Sequence, residues 1–408
     1  MINITRLWTG EAQPADNLRY GQGHGSASSS RARKPIVVWN ITRTCNLRCV
    51  HCYSDSMAQQ YPGELSWEQI QDVIKDLAAY EVPSLLLSGG EPLIHPHFFD
   101  IVDYATELGL KLTISTNGTL ITPEKAALLK KANVAYVGIS LDGIGAIHDE
   151  FRGKKGAFDA AVKGFRNCED VGQKTGLRMT LTRHNVANIE RILDFIEEQG
   201  IQRTCFYHLV PAGRGSELQV LDPAESRHAI DTIIKRVEHW QTTNQSREVL
   251  TVTQPADGAY LLHRMEQENH PNLAQARQLL NWNGGGANSS GRAISNIDTQ
   301  GNVHPDQFWQ DVQLGNVKKT PFSTIWEGGN PLSAPILEEI RSIGNLTNGQ
   351  RQALMYGRCA GCKWFSTCGG GFRTRSAFAN GDLWGSDPGC YLSDEEIGSE
   401  MAHIEKVG

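Results

Sequence analysis

Seven of the nine cysteines in this 408-residue chain fall into two groups. Cys45, Cys49 and Cys52 lie together in TRTCNLRCVHCYSDS, spaced Cys-x3-Cys-x2-Cys. Cys359, Cys362, Cys368 and Cys390 form the second group. Clustered thiols point to metal or redox chemistry in a reducing compartment. Three thiolates so close can wrap one centre. A structural zinc site wants four ligands, usually as two Cys-x2-Cys pairs. Here the fourth would come from a distant residue, or from His51, which stands between two of the cysteines. A [4Fe–4S] cube has four irons, so three cysteines leave one iron open to a small molecule. The four thiols of the second group are enough to close a cubane; a zinc ribbon is the alternative. Cys168 and Cys205, within an amphipathic pattern and at the head of an apolar run, read as small buried hydrophobes.

These residues need elements to position them. Strand-like runs occur at 35–40, 84–87, 112–115, 136–140, 177–182 and 205–210. Helical patterns lie between them, for example at 67–81, 123–132, 159–172 and 189–199. Ser66 and the pair Thr122-Pro123 are helix-start signals. Six strand–helix units imply a parallel sheet with right-handed crossovers. They predict an α/β fold, a partial (β/α)6 TIM-like barrel over 35–250, with an open doubly wound sheet as the alternative. Ligands then gather at the C-terminal ends of the strands. The chemistry-bearing residues fall there: the first cysteines after strand one, Gly89-Gly90-Glu91-Pro92 after strand two, Ser115 and Asn117 at strand three, Ser140 and Asp142 at strand four. Arg178 on the fifth strand can pair a carboxylate bidentately. Singly, GGEP could be a plain turn, Asp142 a turn aspartate and Arg178 a structural ion pair. Residues 1–34 read as a mostly irregular arm ending in a Gly/Ser-rich linker, and 251–290 as a connecting segment. Residues 291–408 read as a second, small domain that opens with a hairpin around Thr299-Gln300-Gly301.

Composition removes several classes. The formal charge is −6, against a polyanion binder and so against nucleic acid. No apolar run of about 18 residues exists, and the N-terminus lacks a secretory pattern. The expectation is a cytoplasmic protein without a membrane span, a monomer by default.

In combination and in order, the CxxxCxxC loop after the first barrel strand, GGEP, the Ser140/Asp142 pair and Arg178 resemble the radical S-adenosylmethionine (SAM) superfamily. The resemblance implies that Cys45, Cys49 and Cys52 hold a [4Fe–4S] cluster whose open iron binds SAM. An electron from the cluster then cleaves SAM to a 5′-deoxyadenosyl radical. It implies SAM contacts from Gly89, Gly90, Glu91, Pro92, Ser115, Asn117, Ser140, Asp142 and Arg178, with His51 and Tyr53 bordering the adenine. A low-potential electron donor is implied as partner. The tail resembles the SPASM or twitch extension, which houses auxiliary clusters. It departs from the full seven-cysteine pattern, because Phe372 stands where a cysteine would follow Cys368 by four. One auxiliary [4Fe–4S] cluster is the expectation.

Longer segments, from ITRLWTGEAQPADNLRYG to the tail after Gly357, look like the haem-biosynthesis branch of that superfamily. That branch holds three activities. One removes two acetates from 12,18-didecarboxysirohaem to give iron-coproporphyrin III. One removes propionates from the same substrate on the way to haem d1. One oxidises iron-coproporphyrin III to haem. The arm and EVLTVTQPADGAYLL look most like the deacetylase. An iron tetrapyrrole needs cations at its rim and apolar walls. Arg214, Arg292, Arg373 and Arg375 are the candidate cations, each otherwise a plain surface arginine. His208 and His304 are candidate axial nitrogens for the iron. Trp282, Phe308 and Trp309 could stack on the ring or pack in the core. Two other readings remain: a SPASM-type peptide maturase, whose usual recognition domain residues 1–34 are too short to form, and a non-catalytic iron–sulfur carrier, in which GGEP and Ser140/Asp142 would be idle.

Overall fold

Hydrophobic alternation and helix caps lead to one continuous sheet. The computed structural model describes residues 1–12, 16, 34–217, 220–282 and 289–398. Its strands are β1 (Ile2–Asn3), β2 (Ile36–Asn40), β3 (Leu85–Ser88), β4 (Leu112–Thr116), β5 (Tyr136–Ser140), β6 (Thr175–Leu181), β7 (Arg203–His208), β8 (Glu248–Val252), β9 (Ile294–Ile297), β10 (Asn302–His304) and β11 (Gly315–Asn316). They pair in the order β1-β8-β7-β6-β5-β4-β3-β2-β9-β10-β11. Every neighbouring pair from β8 across to β9 is parallel. The outer pairs β1·β8, β9·β10 and β10·β11 are antiparallel.

Strands β2 to β7 are the six expected. The parallel set runs further at both flanks. In β8 the first four residues are all buried, so no alternation marks it as a strand. It also runs almost directly into helix Ala256–Gln267. On the other flank β9 pairs with β2, so the expected hairpin extends the barrel sheet. Helix starts follow local chemistry. Ser66 and Gln69 form a capping box for Trp67–Ala79, and Ile70, Val73, Ile74 and Leu77 make its buried stripe. Thr122 caps Pro123–Lys131 with proline in the first turn.

The start of the arm is not irregular. Ile2 and Asn3 add an edge strand to β8, and Ile4–Thr9 is a helix capped by the Asn3 side chain. Ile2, Ile4, Leu7 and Trp8 are buried, so four large side chains cover what would be an open sheet edge. A two-residue strand and a six-residue helix are too short to show a period. Most of the expected Gly/Ser linker and of the loop at 281–291 lies outside the described residues, as does the Trp282 side chain. Among the described residues no helix is long and apolar enough to cross a membrane.

The parallel register sets the site. Asn40 stands beside Ser88 at the ends of β2 and β3, and Ser140 beside Arg178 on β5 and β6. One rim therefore collects the ends of successive strands.

Candidate functional site

The loop after β2 carries Cys45, Cys49 and Cys52 to the mouth of a cavity over this rim. That cavity is also lined by His51, Tyr53, Gly89, Gly90, Ser115, Asn117, Ser140, Asp142 and Arg178. Phe308 lines it as well, edge-on to Tyr53 with centroids 5.5 Å apart.

Each sulfur faces an N–H donor. Leu47 N–H points at Cys45 Sγ and Ser56 N–H at Cys52 Sγ, both at 3.4 Å. Arg152 Nη1 lies 3.4 Å from Cys49 Sγ, and Asn117 Nδ2 3.9 Å from Cys45 Sγ. Burial pushes the Cys45 thiol up to about 12 and raises that of Cys49. Free thiols there would stay protonated and gain little from such donors. A bound metal centre inverts this, because a coordinating thiol is deprotonated outright. The donor set therefore fits an iron–sulfur cluster. Among the described residues no group of three or more His, Cys, Asp or Glu side chains is disposed to hold one metal ion. A cubane does not ask for that, since each sulfur ligates its own iron.

The GGEP segment braces the loop. Gly90 N–H donates to Thr42 O (2.6 Å) and Glu91 N–H to Thr44 O (2.9 Å). A Cβ on Gly89, at φ +151°, would fall on the Thr42 carbonyl, and one on Gly90 on the carbonyls of Arg43 and Thr44. The close approach that these glycines permit is to the cysteine loop itself. Glu91 is fully buried and accepts from Thr116 Oγ1 (2.7 Å), Asn117 N (2.8 Å) and Leu93 N (3.1 Å). Its carboxylate does not line the cavity, and neither does Pro92, which opens a 3-10 turn. Glu91 positions the loop and Asn117, through Thr44 O and the Asn117 N–H. Asn117 ties β4 to the loop through Asn46 Oδ1 (2.9 Å).

Asp142 is fully buried and ion-paired with Arg152. Its Oδ1 also accepts from Thr180 N (2.7 Å). Burial opposes its charge, but Arg152, His51 and the Thr180 N–H hold its carboxyl below the ordinary value. Arg152 thus bridges Asp142 and Cys49, a link that the motifs did not reveal. His51 is kept neutral by burial, which lowers it to about 4. Its Nδ1 is buried beside the thiols, with no hydrogen-bond partner among the described residues. Arg178 makes one hydrogen bond among the described residues, to Tyr207 Oη (2.6 Å). Its other donors remain for a ligand carboxylate.

The second cysteines are brought together at the far end of the chain. Cys359, Cys362 and Cys368 are buried, and Cys390 is half-buried. Burial raises the thiols of Cys362 (to about 11), Cys368 and Cys390. Cys359, Cys362 and Cys390 all act electrostatically on Cys368, so the four are neighbours. Cys168 and Cys205 are buried, as small hydrophobes would be.

The candidate substrate cations are engaged inside the protein. Arg214 clamps the first cysteine loop through Cys49 O (2.9 Å), Asp55 (2.6 Å) and Ser56 O (2.8 Å). Arg373 is buried against the carbonyls of Leu383 (2.9 Å), Gly385 (2.8 Å) and Gly370. Arg375 is buried in a bidentate pair with Asp387 (2.7 and 2.8 Å). These three are internal clamps, not free rim charges; their type was readable, their partners were not. Arg292 is half-buried near the base of the hairpin and also has a partner. His304 has both ring nitrogens occupied, Nδ1 by Val312 O (2.8 Å) and Nε2 by Asp298 (3.4 Å). Trp309 packs in a core cluster with Ile340 and Leu383.

Known proteins place this geometry. The family model of the radical SAM superfamily matches residues 39–196. The Fe-coproporphyrin III synthase of Methanosarcina barkeri is 44% identical over 405 residues, covering 98% of this chain and 99% of that protein. The pre-heme d1 synthase of Dinoroseobacter shibae is 39% identical over 369 residues, covering 90% and 88%. The crystal structure of Streptococcus suis SuiB bound to S-adenosylmethionine superposes with a TM-score of 0.66 at 16% identity, over 88% of this chain and 78% of that one. The chain belongs to the radical SAM superfamily. It is a radical SAM enzyme, and its fold is the one shared with SPASM-type members.

Proposed function

We propose that the enzyme removes the two acetate side chains of 12,18-didecarboxysirohaem to give iron-coproporphyrin III. The observation that carries this reading is the near full-length 44% identity to an Fe-coproporphyrin III synthase. Cys45, Cys49 and Cys52 hold the SAM cluster, and its bound form supplies the electron that cleaves SAM to a 5′-deoxyadenosyl radical. Arg178, Ser115 and Ser140, which line the cavity, would contact SAM there. Asn117, Glu91 and Arg214 keep the cysteine loop at one height above the strand ends, because each bonds it or its brace. Cys359, Cys362, Cys368 and Cys390 hold one auxiliary [4Fe–4S] cluster. The two acetates require two radical events, hence two SAM per product.

The test is anaerobic turnover of 12,18-didecarboxysirohaem with SAM and a low-potential reductant, read by product mass. Iron-coproporphyrin III is expected. Loss of propionates with acetates retained would assign the chain to the pre-haem d1 reaction, whose relative here is 39% identical. An unchanged tetrapyrrole alongside 5′-deoxyadenosine formation would overturn both.

A further inference from the structure

With Arg214, Arg373 and Arg375 engaged internally, the substrate's anchor has to be sought elsewhere. Two cavities meet at His208, on the last residue of β7. One is the cavity over the cysteine loop. The other, of about 390 Å³, is lined by Leu209, Leu221, Phe378 and Tyr391, and also by Cys390 and the Asp387-paired Arg375. His208 Nε2 lies 3.1 Å from Asp257 Oδ2, and Tyr391 Oη donates to Asp257 Oδ1 at 2.8 Å. Asp257 is fully buried in the first turn of helix Ala256–Gln267, where the peptide dipoles favour a carboxylate charge. The Tyr391 ring lies parallel to the imidazole, 10° between planes and 6.5 Å between centroids.

A carboxylate against Nε2 fixes that nitrogen as the N–H. Nδ1 is then the lone-pair nitrogen, and it makes no hydrogen bond among the described residues. Histidines that ligate metals are held in this way, with the remote N–H on a carboxylate. His304 has no such nitrogen left.

We propose that His208 Nδ1 is the axial ligand to the iron of the tetrapyrrole, whose disc enters the second cavity, with Asp257 and Tyr391 as positioning residues. This rests on the tetrapyrrole reading above. Apolar walls suit the ring faces. A cavity of this size takes only part of a tetrapyrrole disc. The remaining edge passes His208 toward the cavity over the cysteine loop, where the radical forms. A single axial bond leaves rotation about itself free, so a second acetate can follow the first without release of the ring.

The experiment titrates the cluster-loaded chain anaerobically with iron-coproporphyrin III and, separately, with metal-free coproporphyrin III, followed by visible absorption and EPR. Wild type should bind the iron form with the spectrum of nitrogen-ligated iron. His208→Gly should lose that spectrum and bind the iron form at least about tenfold more weakly, since loss of even an outer-shell partner costs that much, and added imidazole should restore the spectrum. Metal-free porphyrin should bind both proteins alike, and an iron content equal to wild type shows that the variant is folded. Asp257→Asn keeps the shape but weakens the histidine as a donor, so it should shift the iron's absorption band. A nitrogen-ligated spectrum persisting in His208→Gly, or equal weakening for both porphyrins, overturns the ligand assignment while leaving the substrate reading intact. Wild type that binds neither porphyrin overturns the tetrapyrrole reading, and this inference with it.

Discussion

The two cysteine sites are built on opposite plans. In the first, three sulfurs sit on one loop at the mouth of a cavity, and much of the surrounding bonding serves to hold the loop itself. Gly90, Glu91, Asn117 and Arg214 all bond to backbone or side chains of residues 42–56, and Gly89 lies close against Thr42. In the second, four sulfurs come from residues up to 31 positions apart (390 − 359). They are closed in by Arg373 on three backbone carbonyls and by the buried Arg375–Asp387 pair. An open coordination position needs a loop that stays rigid without a fourth protein ligand. A fully ligated centre can itself hold distant segments together. On the proposed two-cluster reading, the contrast would account for a first site held by motif residues of one loop and a second site drawn from distant segments.

The strongest way to break this comparison is to remove each set of thiols. Changing Cys45, Cys49 and Cys52 to Ala should abolish 5′-deoxyadenosine formation and leave about four irons per chain. Persistent SAM cleavage would refute the assignment of the first site. If the second group holds the proposed auxiliary cluster, the EPR signal of the iron left in that triple variant should not respond to SAM, because each of its irons would have a protein ligand. Zinc in place of iron after strictly anaerobic reconstitution would refute the second cluster.

A smaller effect separates the two arginine pairs. Arg152→Met leaves Asp142 charged and buried, at a cost of about 3–5 kcal/mol, read as a lower urea midpoint. Arg152→Met with Asp142→Leu should recover most of that loss, since no buried charge is left unpaired. Both variants should alter the EPR signal of the first cluster, because Arg152 Nη1 faces Cys49 Sγ. Arg375→Met beside Asp387 should cost a similar amount and leave that signal unchanged. An unaltered first-cluster signal in the Arg152 variants would show that the arginine serves Asp142 alone.

What could be read from the sequence follows from how far apart the partners lie. The cysteine spacing, GGEP, and Ser140 with Asp142 are each local, and each stands at a strand end that hydrophobic runs mark out. Arg152 pairs with Asp142 ten residues away, Asp257 with His208 across 49 and Tyr391 with Asp257 across 134. No spacing rule reaches those distances. Arg214, Arg373 and Arg375 show the converse: a cation was visible, but only the fold shows that carbonyls and carboxylates of the same chain already hold it. β8 and the N-terminal edge strand were hidden for another reason. A strand buried over its first four residues shows no alternation, and a two-residue strand has no room for one.

The smallest predicted effect concerns where the second region meets the barrel. Arg227, on helix Pro223–Thr242, pairs with Glu396 and also donates to Tyr391 O (3.0 Å). The hydrogen bond from Arg227 is the chief reason why Glu396 is held down at about 2. An unfolded glutamate titrates near 4.3. The unfolded chain therefore takes up this proton first as pH falls. The contribution of Glu396 is complete above about pH 5 and is lost progressively between about pH 4.5 and 2. The pair is only partly shielded from solvent, so its worth is on the order of 1 kcal/mol or less and should shrink in high salt. Hydrogen exchange at residues 391–398, taken relative to the intrinsic rate at each pH, should rise as pH falls through that range in wild type. In Glu396→Gln it should already be raised at pH 7 and change little below pH 4.5. The Asp142–Arg152 pair at the first site is fully buried, so exchange in the cysteine loop should stay flat over the upper half of that range. Opening of both regions at the same pH would mean that the tail is no looser than the rim on which the radical chemistry takes place.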